Sequence, residues 1–350
     1  MASVSIIMAA YNAAATIEDS LRSALGQSLD DLEVIVVDDG SRDATAEVVR
    51  GIGDPRVRLI RQVNRGQSAA LNAGAAAATG RFLKFLDSDD ALNPGHVAAQ
   101  LATLTSGFPE HVSACRWGYF VDDATRPAIR TEAVQKHFDD PLDWLVTSLT
   151  QDEGMMGGWM WLIPRAVWDR TGGWDERLSL NNDFDFSVRL LLNSAGVRYA
   201  PDAVYAYRKS VSGTLSGSRG RKAMESAWLT TEQGTRALLA REDSERIRRI
   251  CADRFQTWLF EFYPRYPDLA QTTEQRIAEL GGSQRQMSGG RLLRVLQPVI
   301  GWKGVRQLQE LAGRLGWSRL RRWKARQRLA ALQKTQPDDP VVEFTEPGDR

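Results

Sequence analysis

Short apolar runs alternate with helical stripes along the first ninety residues. Residues 3–8 (Val-Ser-Ile-Ile-Met from Val4) and 32–37 (Leu-Glu-Val-Ile-Val-Val) have the length and β-branched content of buried strands. Between them Ile17, Leu21, Ala24 and Leu25 recur at helical spacing, with Thr16 and Asp19 placed like a capping pair. A second helix is predicted over 43–52, with Ala46, Val49 and Ile52 inward, and a third strand over 57–62. An alanine-rich helix over 67–78, stopped by Gly80, precedes a fourth strand from Phe82 to Leu86. This alternation predicts a parallel sheet with right-handed crossovers.

Beyond Asn93-Pro94 the pattern continues with a helix over 94–105 and a strand near 112–121. A helix near 140–149, a strand near 158–163, a helix over 183–195 and a strand around 197–206 follow. The expected α/β domain closes near residue 215. From 222 onward helical periodicity replaces strand signals, so 216–334 reads as a helical C-terminal region. Residues 335–350, with three prolines and five acids, read as a disordered acidic tail.

Charge adds one feature to this picture. The formal net charge of the whole chain is +1, which gives it no general attraction for nucleic acid. Residues 291–330, however, hold eleven Lys or Arg against Glu310 alone, and 331–350 carry net negative charge. In 314–330, Leu315, Trp317, Leu320 and Trp323 intersperse with arginines, a pattern suited to an anionic membrane surface or to packing on an acidic partner. No apolar run reaches the ~18–20 residues of a membrane-spanning helix. Cys115 and Cys251 form no spaced pair and His96, His111 and His137 are scattered, which argues against a disulfide framework or a thiolate zinc site. The expected location is cytoplasmic, peripheral at the inner membrane face.

Candidate chemistry lies at the strand ends, because an open parallel α/β sheet binds ligands outside the carboxyl ends of its strands. After the first strand comes Ala9-Ala10-Tyr11-Asn12, after the second Asp38-Asp39-Gly40-Ser41, and after the fourth Asp87-Ser88-Asp89-Asp90. Five carboxylates on one rim repel one another unless a cation offsets them. Hard oxygen ligands suit Mg²⁺ or Mn²⁺ bound jointly with a nucleotide diphosphate. Neither a Walker lysine motif nor G-x-G-x-x-G follows the first strand, which weakens an ATPase or a dinucleotide dehydrogenase. Either acidic motif alone is also an ordinary capped turn. A metal-dependent nucleotidyltransferase would need acids at strand ends too, and a non-catalytic binding module could rely on the basic segment.

The consecutive motifs resemble family 2 glycosyltransferases. Val4 to Asn12, Val34 to Ser41, Asn64-Arg65-Gly66 through Ala70-Leu71-Asn72-Ala73-Gly74, Gly80-Arg81-Phe82 and Asp87 to Asp90 carry the likeness in order, over roughly residues 3–210. The resemblance implies a GT-A fold: a Rossmann-like, mainly parallel sheet flanked by helices. It also implies an inverting transfer of a sugar from a nucleoside-diphosphate donor, taken as a UDP-sugar, to a saccharide or lipid-linked acceptor in polysaccharide or glycoconjugate synthesis. By the same resemblance Ala9, Tyr11, Asn12 and Asp39 hold the nucleobase and ribose. Asp87 and Ser88 lie at the ribose and diphosphate, and Asp89 ligates a divalent metal, Mn²⁺ or Mg²⁺. The base falls on Asp183, in Asn181-Asn182-Asp183-Phe184-Asp185 downstream of Gly172-Gly173-Trp174-Asp175-Glu176. Asp183 is equally placed to act as the N-cap of the 184–195 helix. Two departures stand out: Asn182 replaces the usual glutamate, and Arg208-Lys209 replaces a histidine, making Arg208 the candidate diphosphate contact. Trp159, in Gly157-Gly158-Trp159-Met160-Trp161, is expected on the acceptor side. No nucleic acid partner is expected, and an oligomer is left open.

Overall fold

The computed structural model describes residues 3–121, 123–150, 154–209, 217–287, 291–314 and 327. The basic stretch from Leu315 to Ala330, Gln327 apart, and the acidic 335–350 lie outside them. The chain divides into two compact units, Met1–Ser210 and Val211–Ala331.

The first unit opens with β1 (Val4–Ala10), α1 (Ile17–Leu25), β2 (Leu32–Asp38), α2 (Thr45–Gly51), β3 (Val57–Arg61), α3 (Gln67–Ala77) and β4 (Phe82–Phe85). β5 (Ala91–Leu92), α4 (His96–Thr105), β6 (Val112–Phe120), β7 (Ala128–Ile129) and α5 (Pro141–Thr150) follow. A 3-10 turn (Gly158–Met160), β8 (Trp161–Pro164), α6 (Arg165–Thr171), α7 (Asn182–Leu192) and β9 (Val197–Arg208) complete it. The sheet runs β3-β2-β1-β4-β8-β6-β9-β5, with β7 added at β6.

The first four strands pair in parallel, as the alternation of strand and helix predicts. β8 then inserts antiparallel between β4 and β6, and β5 runs antiparallel to β9, so the sheet as a whole is mixed. Register levels the working edge. Ala10 lies opposite Asp38 and Ile7 opposite Phe85, so Asn12, Asp39 and Asp87 leave the sheet on the same side.

α3 lies close to the sheet because its inward positions are small. A Cβ on Gly74 would come within 2.5 Å of the Ile7 side chain. Gly80 does not stop this helix, which ends at Ala77; its role is contact, since a Cβ there would meet the Ser5 amide at 2.6 Å. Nor does Thr16 cap α1. Its hydroxyl instead donates to the Ser88 carbonyl at 2.9 Å, tying that helix to the acidic loop.

Aromatic rings fix the far half of the unit. Trp174 stacks on Phe186 of α7, with ring centroids 3.8 Å apart, and both meet Phe85 of β4 edge-on. Trp144 of α5 meets Trp161 of β8 at 5.0 Å. Such ring pairs add about 0.5–1.5 kcal/mol each beyond their burial. They anchor α7, and hence Asp183, against the strand that leads into the acidic loop.

Among its described residues the second unit has helices and no strand: α8 (Arg221–Arg241), α9 (Glu245–Phe262), α10 (Pro267–Glu279) and α11 (Arg291–Arg314). Pro267 opens α10 where a missing N–H costs nothing. Buried Glu232 joins α8 to α10 through Arg276 at 2.9 Å. α11 is interrupted at Gly301, which takes a left-handed φ of 67°. Val299, on this helix, is 79% exposed, and Ile300, Leu308 and Leu311 are exposed as well. Among the described residues no helix is long and apolar enough to cross a membrane.

Candidate active site

Three strand ends are tied together by side chains that accept backbone amides. Asn12 adopts a left-handed φ of 52°; its amide donates to Ser41 Oγ and its side-chain oxygen accepts from the Arg42 amide. Asp39 is buried and fully engaged. Oδ1 accepts from Gln62 Nε2 and the Arg65 amide, and Oδ2 from the Gly66 amide, each at 2.8 Å. Asp39 thereby shapes the turn that opens α3. Gly40 beside it has a φ of +78°, and a Cβ there would lie 2.9 Å from the Asn64 amide. Burial pushes the Asp38 carboxyl up, but hydrogen bonds from Ser41 and Arg61 outweigh it and hold it below the usual range. Ala9 is half-buried at the end of β1, and Tyr11 beyond it is 49% exposed on this rim.

The loop after β4 is built differently. Asp90 turns inward: Tyr205 donates its hydroxyl to Oδ2 at 2.8 Å and the Arg208 amide donates to Oδ1 at 2.7 Å. Burial, then the charges of Asp89 and Asp87, push its carboxyl well up. Asp87 accepts from Gln67 Nε2 at 3.2 Å, and its amide donates to the Tyr205 oxygen. Burial, then the negative charges of Asp89 and Asp183, raise Asp87 to about 8. Asp89 is raised too, by burial, against the opposing pull of Arg208. Ser88 is half-buried between them. Arg208 donates Nε to the Asp89 carbonyl at 2.7 Å and lays its guanidinium over the Phe120 ring, 4.5 Å from the centroid.

Asp183 sits in the first turn of α7. It is not the N-cap, a position held by Asn181 in left-handed conformation. Its Oδ1 accepts from the Gly158 amide at 2.8 Å, and burial raises the carboxyl to about 6. Neighbouring acids are committed elsewhere: Asp185 pairs with Arg189, Asp175 with Arg177, and Glu176 with Arg65. Asn182 donates to Ser68 Oγ, an inward bond between uncharged groups.

Trp159 departs from expectation. It is 4% exposed, its ring stacks on Tyr205 at 4.1 Å, and its carbonyl accepts from Lys84. The ring is thus packed against β9. Gln67, Tyr205 and Lys84 join the site from outside the expected residues. The alternating Tyr205 and Tyr207 of β9 were a usable signal for the tyrosine, whereas nothing local marks a lysine that will be buried.

The donor set at Asp87 and Asp89 suits a divalent cation shared with phosphate oxygens. Both hard carboxylates are raised by burial, and Asp87 by the charge of Asp89 as well, so both gain from a positive charge nearby. Among the described residues no group of three His, Cys, Asp or Glu forms a metal cage, so a cation held by this pair would need oxygens from outside the protein.

The mixed α/β sheet with its flanking helices has the GT-A fold. Residues 5–166 match the family model of glycosyl transferase family 2, and the N-terminal unit belongs to that family. Over 217 residues the chain is 30% identical to the putative glycosyltransferase EpsH of Bacillus subtilis, covering 59% of this chain and 60% of that protein. Over 92 residues it is 52% identical to the succinoglycan biosynthesis protein ExoO of Rhizobium meliloti, 26% of either chain. The chain thus spans less than two thirds of these curated relatives. Residues 1–349 of S. aureus TarS, solved in complex with UDP-GlcNAc, share the fold with a TM-score of 0.59 at 18% identity, covering 81% of this chain and 93% of that one.

Proposed function

We propose that the chain is an inverting glycosyltransferase that moves a sugar from a UDP-sugar to a saccharide or lipid-linked acceptor during polysaccharide or glycoconjugate synthesis. The observation that carries this reading is the convergence of Asp89 and Asp183, from separate elements, on Asp87, whose carboxyl feels the negative charge of both. A relative named for succinoglycan biosynthesis and a fold neighbour solved with UDP-GlcNAc support the substrate class.

In this reading Tyr11, with Ala9 and Asn12 beside it, lines the nucleobase and ribose, and Asp39 acts there by fixing the Arg65-Gly66 turn. Asp87 and Ser88 face the ribose and diphosphate, with Asp89 holding Mn²⁺ or Mg²⁺. That cation would supply positive charge for the departing diphosphate. Arg208, held against the loop by the Asp89 carbonyl, adds a second positive charge there. Asp183 takes the proton of the acceptor hydroxyl, and a carboxyl near 6 is ionised at neutral pH yet basic enough to accept it. Inversion follows from a single base and direct displacement. In the same reading the enzyme works at the inner membrane face; the basic 291–330 segment and the exposed apolar residues of α11 support this.

Incubation with a panel of nucleotide sugars and saccharide acceptors, with and without Mn²⁺, tests the proposal. Cation-dependent release of UDP and an NMR spectrum with the inverted anomeric configuration are expected. Retention of configuration, or no release from any donor, overturns it.

A further inference from the structure

A fully buried lysine lies at the centre of the sheet. Lys84 of β4 donates Nζ to the Trp159 carbonyl at 2.6 Å and to Gln100 Oε1 at 3.0 Å. Its hydrogen-bond acceptors are uncharged, and burial lowers the ammonium to about 8. Burying an ammonium costs several kcal/mol, which its hydrogen bonds offset here, so the groups it bonds are held firmly.

What it holds is the Gly158–Met160 turn. On one side the Gly158 amide donates to Asp183 Oδ1. Gly158 is confined there by Trp174, whose ring would lie 2.3 Å from an added Cβ. On the other side the Trp159 ring stacks on Tyr205, whose hydroxyl bonds both Asp90 Oδ2 and the Asp87 amide. Gln100 completes the clamp by donating Nε2 to the Met160 carbonyl at 2.9 Å. A single three-residue turn therefore touches the candidate base through its backbone and the acidic loop through a ring and a hydroxyl.

We propose that Lys84 and Tyr205 are positioning residues: Lys84 clamps the turn that orients Asp183, and Tyr205 transmits the same turn to the Asp87–Asp90 loop. The inference rests on the transferase reading for its kinetics but not for its geometry. Lys84→Met fills similar volume without a donor, and it should lower kcat about tenfold while donor KM stays within about twofold. In an Asp183→Asn background the same substitution should lower kcat no further, because groups acting through one another are not additive. Hydrogen exchange across 155–161 should quicken about tenfold as the turn loosens. Tyr205→Phe removes one oxygen and keeps the ring stack, so it covers the case in which Lys84→Met does not fold. It should raise donor KM severalfold with kcat nearly unchanged. Normal exchange and normal kcat in Lys84→Met, additive losses with Asp183→Asn, or unchanged donor KM in Tyr205→Phe would overturn the proposal. If the wild-type chain releases UDP from no donor, the transferase reading fails, and exchange at 155–161 still decides the clamp.

Discussion

Replacing Asp183 by Asn separates the cost of a buried acid from its use. Burial raises this carboxyl from 3.8 to about 6, a shift that disfavours its charged form in the folded protein. At pH 7 the group is ionised in both folded and unfolded chains, and the folded chain bears the penalty. About two units at 1.36 kcal/mol each make that roughly 3 kcal/mol. The sign follows from the direction of the shift: stability is lost as pH rises from 3.8 to about 6 and stays lost above it. Asparagine keeps the shape and can still accept from the Gly158 amide, but it carries no charge. Asp183→Asn should therefore be more stable than the wild type at pH 7, by up to about 3 kcal/mol, and the difference should shrink to about a third by pH 4.5. Turnover should move the other way, falling about 10²–10⁴-fold with the loss of a general base. Wild-type activity should fall about tenfold between pH 7 and pH 5, as the carboxyl takes up its proton. Thermal melts at the two pH values, paired with rates of UDP release, read both effects. A variant that turns over normally is fatal to the role of base. A variant no more stable at pH 7 than at pH 4.5, relative to wild type, refutes the burial argument.

Asp89→Ala should abolish Mn²⁺-dependent binding of UDP while leaving the melting temperature of the ligand-free chain within a few degrees. Calorimetric titration checks this, and unchanged cation-dependent binding would remove Asp89 from the metal site. Gly74→Val should destabilise the first unit by about 1–3 kcal/mol, because the added Cβ itself would lie 2.5 Å from the Ile7 side chain. A denaturant midpoint equal to wild type would contradict that packing. The full chain should sediment with vesicles rich in anionic lipid at low salt and release at high salt, since surface charge attraction is screened. Sedimentation that ignores lipid charge or salt would leave the basic segment without a membrane role.

What the sequence determined by itself was local. Apolar runs and helical stripes placed β1 to β4 and the helices between them to within a few residues, because period and turn chemistry are written along the chain. Tyr11-Asn12 after β1 and the acids after β2 and β4 were placed for the same reason, since the end of a strand is a local event. Which way each acid faces was not local. Asp90 turns in to Tyr205, 115 residues away, and Asp39 spends its oxygens on amides 26 and 27 residues on. Thr16 reads as a cap until Ser88 is beside it, and Trp159 reads as a sugar platform until Tyr205 covers its face. The antiparallel entry of β8 and the burial of Lys84 likewise depend on partners distant in the chain. A carboxylate, ring or ammonium carries the same covalent structure inside or out. Its role is set by the dielectric and the hydrogen-bond partners that surround it, and only tertiary packing supplies those.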